Sequence, residues 1–228
     1  MREFFTAEYF GCSNATVKSG TKPSNIKTKT QCLAQENFSP AVGMLSIGSW
    51  PEVDRAKQNL LDISRKSEAC RSEAISVLMG VMNKPNLDFR QDQSSYHLWR
   101  YGAEILGELK ATEAIDLLIS HLNLTNGTFS ASMSHQPALA GLIKMGSVAI
   151  PKLNEVLLHS PNVSMRQSAV FCIATIGGPS AVRSLQEALP TESDKCIHGF
   201  ISASLNGFDE NGQISDRGKW ASSFFCDD

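Results

Sequence analysis

Trp99–Leu122, WRYGAEILGELKATEAIDLLISHL, is the stretch that decides the fold. It reads as two short amphipathic helices joined by a tight turn at Lys110-Ala111. In the second helix, Ile115, Leu118 and Leu122 stand at i, i+3 and i+7, which is one face of a helix. The spacing returns in Ile150, Leu153 and Leu157, and again in Val182, Leu185 and Leu189. Upstream, Ile75, Leu78 and Met82 fit the same template. An alanine precedes the first anchor each time, at positions Ala74, Ala114, Ala149 and Ala181. The anchors Ile75, Ile115, Ile150 and Val182 lie 40, 35 and 32 residues apart, a period that marks arrays of helical units.

Each anchor helix has a partner just before it. The partners carry Ala103, Leu106 and Leu109; Ala138, Leu142 and Met145; and Ala169, Ile173 and Ile176. Gly146 and Gly177-Gly178-Pro179 follow the last two, because glycine closes a helix by taking the left-handed conformation cheaply. One face of a two-helix unit cannot bury itself alone, so such units stack into a continuous core.

These residues resemble the HEAT repeat, and more narrowly the short HEAT-like repeat first named from phycobilisome lyases. That pattern runs from a valine-arginine entry through an alanine-rich helix ending in ALGxIG to AVPxLIxAL. Here it stands as Trp99-Arg100-Tyr101-Gly102-Ala103 through Leu109, as Met165-Arg166-Gln167-Ser168-Ala169 through Gly177, and as Ala149-Ile150-Pro151-Lys152-Leu153. The resemblance covers about residues 70–205 and departs in two ways. His135-Gln136-Pro137 replaces the entry arginine of the middle unit, and Lys84–Ser94 and Thr125–Ser132 are inserted between helices. It implies an all-α, right-handed α-solenoid of about four HEAT-like helix pairs. In this reading residues 1–45 are an irregular N-terminal extension, 46–207 the solenoid, and 208–228 a tail or cap. A helix from Pro51 to about Lys66, with Val53, Ala56, Leu60 and Ile63 on one stripe, caps the array's start. The aromatic group Phe4, Phe5, Tyr9 and Phe10 reads as a patch folding back onto the first helices, with a docking peptide as the alternative.

Composition narrows the function. Net charge is −2, and Lys and Arg are scattered rather than striped, so nucleic acid is not expected as a partner. No apolar run reaches the roughly 18 residues that a membrane-spanning helix needs. The first residues, MREFFTAEYFGC, lack a secretory h-region, which favours a cytoplasmic setting. The six cysteines show no CxxC pair and no zinc spacing. All six read as free thiols, with a Cys12–Cys32 disulfide as the alternative. Five Asn-x-Ser/Thr triplets, at Asn14, Asn37, Asn123, Asn126 and Asn162, point the other way, towards secretion.

No catalytic constellation emerges. There is no HExxH, GxSxG or phosphate-binding glycine loop, and Asp209–Ile214 lacks the glycine and glutamate of a calcium loop. The chain therefore reads as a non-enzymatic protein- or peptide-binding scaffold without metal or cofactor. The family resemblance offers an alternative, an accessory subunit or chaperone of a bilin lyase-type enzyme that binds a linear tetrapyrrole. Candidate partner-binding residues begin with the cluster Tyr96, Trp99, Arg100 and Tyr101, the residue types that dominate interface hot spots. In HEAT arrays the equivalent helices line the concave face. By that resemblance Arg100, Glu104 and Glu108 form a ridge there, which Lys144 and Arg166 extend. The competing reading packs Trp99 into the core and pairs Arg100 with Glu104 along the helix.

Overall fold

The computed structural model describes residues 32, 35–85, 88–125 and 136–216. Its helices are α1 (Gln35–Ile47), α2 (Trp50–Ser64), α3 (Glu68–Met82), α4 (Gln93–Glu108) and α5 (Ile115–Ser120), followed by α6 (Pro137–Met145), α7 (Ile150–His159), α8 (Val163–Ile176), α9 (Gly178–Ala188) and α10 (Lys195–Gly207). Single 3-10 turns, Thr112–Ala114 and Gly146–Ala149, lead into α5 and α7. Among the described residues there is no β-strand, only an isolated antiparallel bridge between Phe208 and Ile214. The protein is all-α. These helices belong to one unit, Gln31–Asp228; the other, Met1–Thr30, lies outside the described residues.

The helix boundaries follow local chemistry. Glu52 accepts hydrogen bonds from both the amide and the hydroxyl of Ser49 at the start of α2. The side chains of Ser67, Asp92, Asn162 and Asp194 accept amide hydrogen bonds at the starts of α3, α4, α8 and α10. Proline occupies the first turn of α2, α6, α7 and α9, where its missing amide costs nothing. The three partner helices end alike. Lys110, Gly146 and Gly177 hold equivalent positions and share a positive φ of 51°, 74° and 69°. Lysine takes the left-handed state less readily than glycine does.

The repeated anchors form the core. Ala74, Ala114, Ala149 and Ala181 are buried, as are Ile75, Leu78, Met82, Ile115, Leu118, Leu122, Ile150, Leu153, Leu157 and Leu185. Helix α4 packs on α6, α6 on α8 and α8 on α10, while α5 packs on α7 and α7 on α9. The α4–α6 step is very close, because a Cβ on Gly141 would stand 2.7 Å from the Ala103 carbonyl oxygen. A Cβ on Gly107 would stand 2.6 Å from the Gly141 carbonyl oxygen.

Several expectations are corrected. Residues 35–45, assigned to an irregular extension, lie in α1, where Phe38, Ala41, Val42 and Leu45 are buried. That helix packs on both α2 and α4. Cys32 and Cys70 form a disulfide, and Cys196 is disulfide-bonded as well, so the six thiols are not all free and Cys32 does not pair with Cys12. Among the described residues only Cys172 is a free thiol; it is fully buried, and burial pushes its pKa up. After α10, Phe208 and Ile214 pack on the core, and the amide of Gly178 donates to the Gly212 carbonyl at 2.7 Å. The aromatic group at positions 4–10, the insertion core at 126–132, and Trp220, Phe224 and Phe225 lie outside the described residues.

Candidate interaction surface

Helix α4 carries the Tyr96–Tyr101 cluster, and the structure divides it by face. Trp99 is buried, and its indole N–H donates to the Met82 carbonyl at 3.0 Å, satisfying an acceptor in the last turn of α3. Its ring lies 4.5 Å from that of His121 and 6.0 Å from Phe89. Tyr96 is also buried, 5.8 Å from the Phe89 ring, and burial raises its hydroxyl pKa. Both serve the core, so neither offers area to a partner.

Arg100 and Tyr101 face elsewhere. The start of α2 sets Trp50 edge-on to Tyr101, with ring centroids 6.1 Å apart. The Arg100 guanidinium carbon lies 5.7 Å from the Trp50 centroid and 5.4 Å from that of Tyr101. His97 stacks on Tyr101 at 6.4 Å. Tyr101 is buried and Arg100 partly so, whereas Trp50 is 61% exposed. On the adjoining end of α1, Ile47 is 76% and Met44 41% exposed. An exposed tryptophan against a cation, with exposed large apolar side chains three and six residues before it, is the composition of a contact surface.

The acidic part of the expected ridge is already occupied. Glu104 and Glu108 accept from Lys144 Nζ at 2.6 and 2.8 Å, and Lys57 Nζ on α2 approaches them at 3.0 and 3.1 Å. Burial opposes ionisation of both carboxyls, but the hydrogen bonds and charges of Lys144 and Lys57 outweigh it and hold both pKa values down. Burial likewise works against the charge of Lys144, yet the two carboxylates hold its pKa up. This quartet is neutral and ties α2, α4 and α6 together. Arg166 is bound in a different way. Its Nε and one terminal nitrogen grip the two Glu192 carboxylate oxygens at 2.9 and 3.1 Å, and the other donates to the Ser160 carbonyl at 3.0 Å. Both side chains are largely buried, so Arg166 fastens α8 to the α9–α10 turn.

Of the seven sequence candidates, Arg100 thus reaches the surface beside Trp50 with the buried Tyr101 beneath it, Glu104 and Lys144 share an ion-pair network, and Tyr96, Trp99 and Arg166 are structural. Sequence reasoning missed Trp50, Ile47 and Met44. The available signal was a tryptophan directly before Pro51, together with apolar residues off the buried stripe of α1. Among the described residues no group of three His, Cys, Asp or Glu side chains is arranged to hold a metal ion, and no helix is long and apolar enough to cross a membrane.

Compared with known proteins, the chain matches no family model, no curated protein and no solved structure.

Proposed function

We propose that the chain is a non-enzymatic scaffold, a right-handed solenoid of HEAT-like helix pairs that holds a protein or peptide partner. The alternating packing of α4, α6, α8 and α10 beside α5, α7 and α9 supports the solenoid reading, because stacked hairpins make such rows. The observation that carries the binding reading is the exposed Trp50 against the half-buried Arg100, with the exposed Ile47 and Met44 three and six residues before Trp50 in the chain. Tryptophan, tyrosine and arginine give the largest interface energies because each buries wide area with a polar tip.

Affinity capture from the source extract tests the reading, with wild-type protein and a Trp50→Ala/Arg100→Ala variant as baits. Circular dichroism must show both folded. A protein retained by the wild type and lost by the variant supports the proposal. Equal retention by both baits removes the surface from the function, and retention by neither removes the scaffold reading.

A further inference from the structure

We infer that the partner docks through a segment in which a carboxylate is flanked by apolar side chains. The carboxylate seats on Arg100, and the apolar side chains cover Trp50, Ile47 and Met44. This inference rests on the proposed scaffold function and names the chemistry of its partner.

The argument begins with the ion pairs around Arg100. On an isolated helix its default partner is Glu104, one turn on. Lys57 and Lys144 take that carboxylate instead, at 3.0 and 2.6 Å, together with Glu108. The other partly buried arginines are satisfied: Arg71 by Glu68, Glu113 and the Leu109 carbonyl, Arg166 by Glu192 and the Ser160 carbonyl. Among the described residues no carboxylate lies within ion-pair distance of the Arg100 guanidinium, whose contacts are the Trp50 and Tyr101 rings. Guanidinium is planar, and its N–H donors lie in the plane and suit a two-oxygen acceptor. Ring contacts leave those donors to be satisfied by something else. The apolar surroundings lower the local dielectric, so an arriving carboxylate gains more there than on an open surface.

The apolar neighbours supply the second half of the match. Ile47, Trp50 and Met44 are exposed to 76, 61 and 41%, and they gain only from a partner that brings its own apolar side chains. A nucleic-acid backbone fits poorly. It needs a row of cations, whereas the next charges along α4 are the carboxylates of Glu104 and Glu108.

Selection of a random-peptide phage library on the folded wild-type protein, with counter-selection on Trp50→Ala, tests the inference. Enriched peptides are expected to carry Asp or Glu beside aromatic or branched aliphatic residues. In fluorescence anisotropy, changing that acid to its amide should weaken a selected synthetic peptide about tenfold or more. Arg100→Gln should weaken the acidic peptide equally and leave the amide peptide unaffected, while Arg100→Lys should fall between. Trp50-dependent peptides with no acidic preference, or indifference to Arg100→Gln, would overturn the inference and leave the scaffold reading standing. No Trp50-dependent peptide at all would overturn both. Binding of a single-stranded oligonucleotide that Arg100→Gln abolishes would replace the carboxylate with a phosphate and sink the inference.

Discussion

Replacing Gly141 with alanine sets two effects of known size against each other. Gly141 lies inside α6, and alanine there gains about 1 kcal/mol of helix propensity. The new methyl would stand 2.7 Å from the Ala103 carbonyl oxygen and 3.1 Å from the Ala103 Cβ. Both belong to a packed helix rather than a flexible side-chain tip, so α4 and α6 must move apart. Overpacking of this kind costs about 1–3 kcal/mol. Separation also stretches the Lys144 contacts to Glu104 and Glu108, now 2.6 and 2.8 Å. With the stretched ion pairs added, the clash outweighs the propensity, and the net effect is a loss of up to about 2 kcal/mol. Gly80 in α3 and Gly199 in α10 provide the control, since a Cβ at either meets nothing within 4 Å. Gly80→Ala and Gly199→Ala should therefore stabilise by about 0.5–1 kcal/mol each. Urea unfolding of the four proteins reads the signs directly. If Gly141→Ala unfolds at or above the wild-type midpoint while Gly80→Ala behaves as expected, the close α4–α6 contact is refuted.

Leu118 is fully buried, and Leu118→Asp should cost more than about 4 kcal/mol, abolishing the cooperative melt seen by circular dichroism. The Cys32–Cys70 bridge closes a separation of 38 residues, so Cys70→Ser should lower the unfolding free energy by up to about 4 kcal/mol. Matching midpoints for Cys70→Ser and wild type in oxidising buffer would sink that expectation. The pKa values of Glu104, Glu108 and Glu192 are all held below the ordinary carboxylate value of about 4.3. Burial opposes ionisation of Glu192, but hydrogen bonds from Arg166 and the Asp194 amide prevail. The stability these carboxylates contribute is complete above the unfolded pKa and is lost as pH falls through the lower folded values. Urea midpoints should therefore drop below about pH 4.3, and Glu192→Gln should shrink the drop.

Much of the helical organisation was legible because burial and sequence period coincide. Ile115, Leu118 and Leu122 announce one face, and Gly146 and Gly177 announce where their partner helices stop. Lys110 holds the same left-handed position without glycine, so only its place in the repeat marks it. Helix α1 escaped notice although Phe38, Ala41, Val42 and Leu45 fall at i, i+3, i+4 and i+7. Pro40 interrupts that stripe, and the polar residues before it drown the period. The surface was less legible because distant residues decide it. Arg100 and Glu104 are spaced as a helix pair, yet Lys57, 47 residues upstream of Glu104, takes the carboxylate. Trp99 was open to both a core and a partner-binding reading from sequence, and its burial with the indole N–H on the Met82 carbonyl bears out the core reading. Cysteine spacing carries no connectivity, so the bridge to Cys70 had no signature.

The cystines make the molecule's integrity depend on the redox poise around it. Cys32 and Cys70 are themselves buried, so in a glutathione-buffered cytosol their bridge opens by thiol exchange only when the packing around it loosens, and position 32 would then lose its covalent hold on α3. Under oxidising conditions, Cys172 is buried among α8's core residues with its ionisation suppressed. A thiol held in that state is a poor nucleophile for exchange, so the folded protein keeps its pairing even with a spare sulfur in the core.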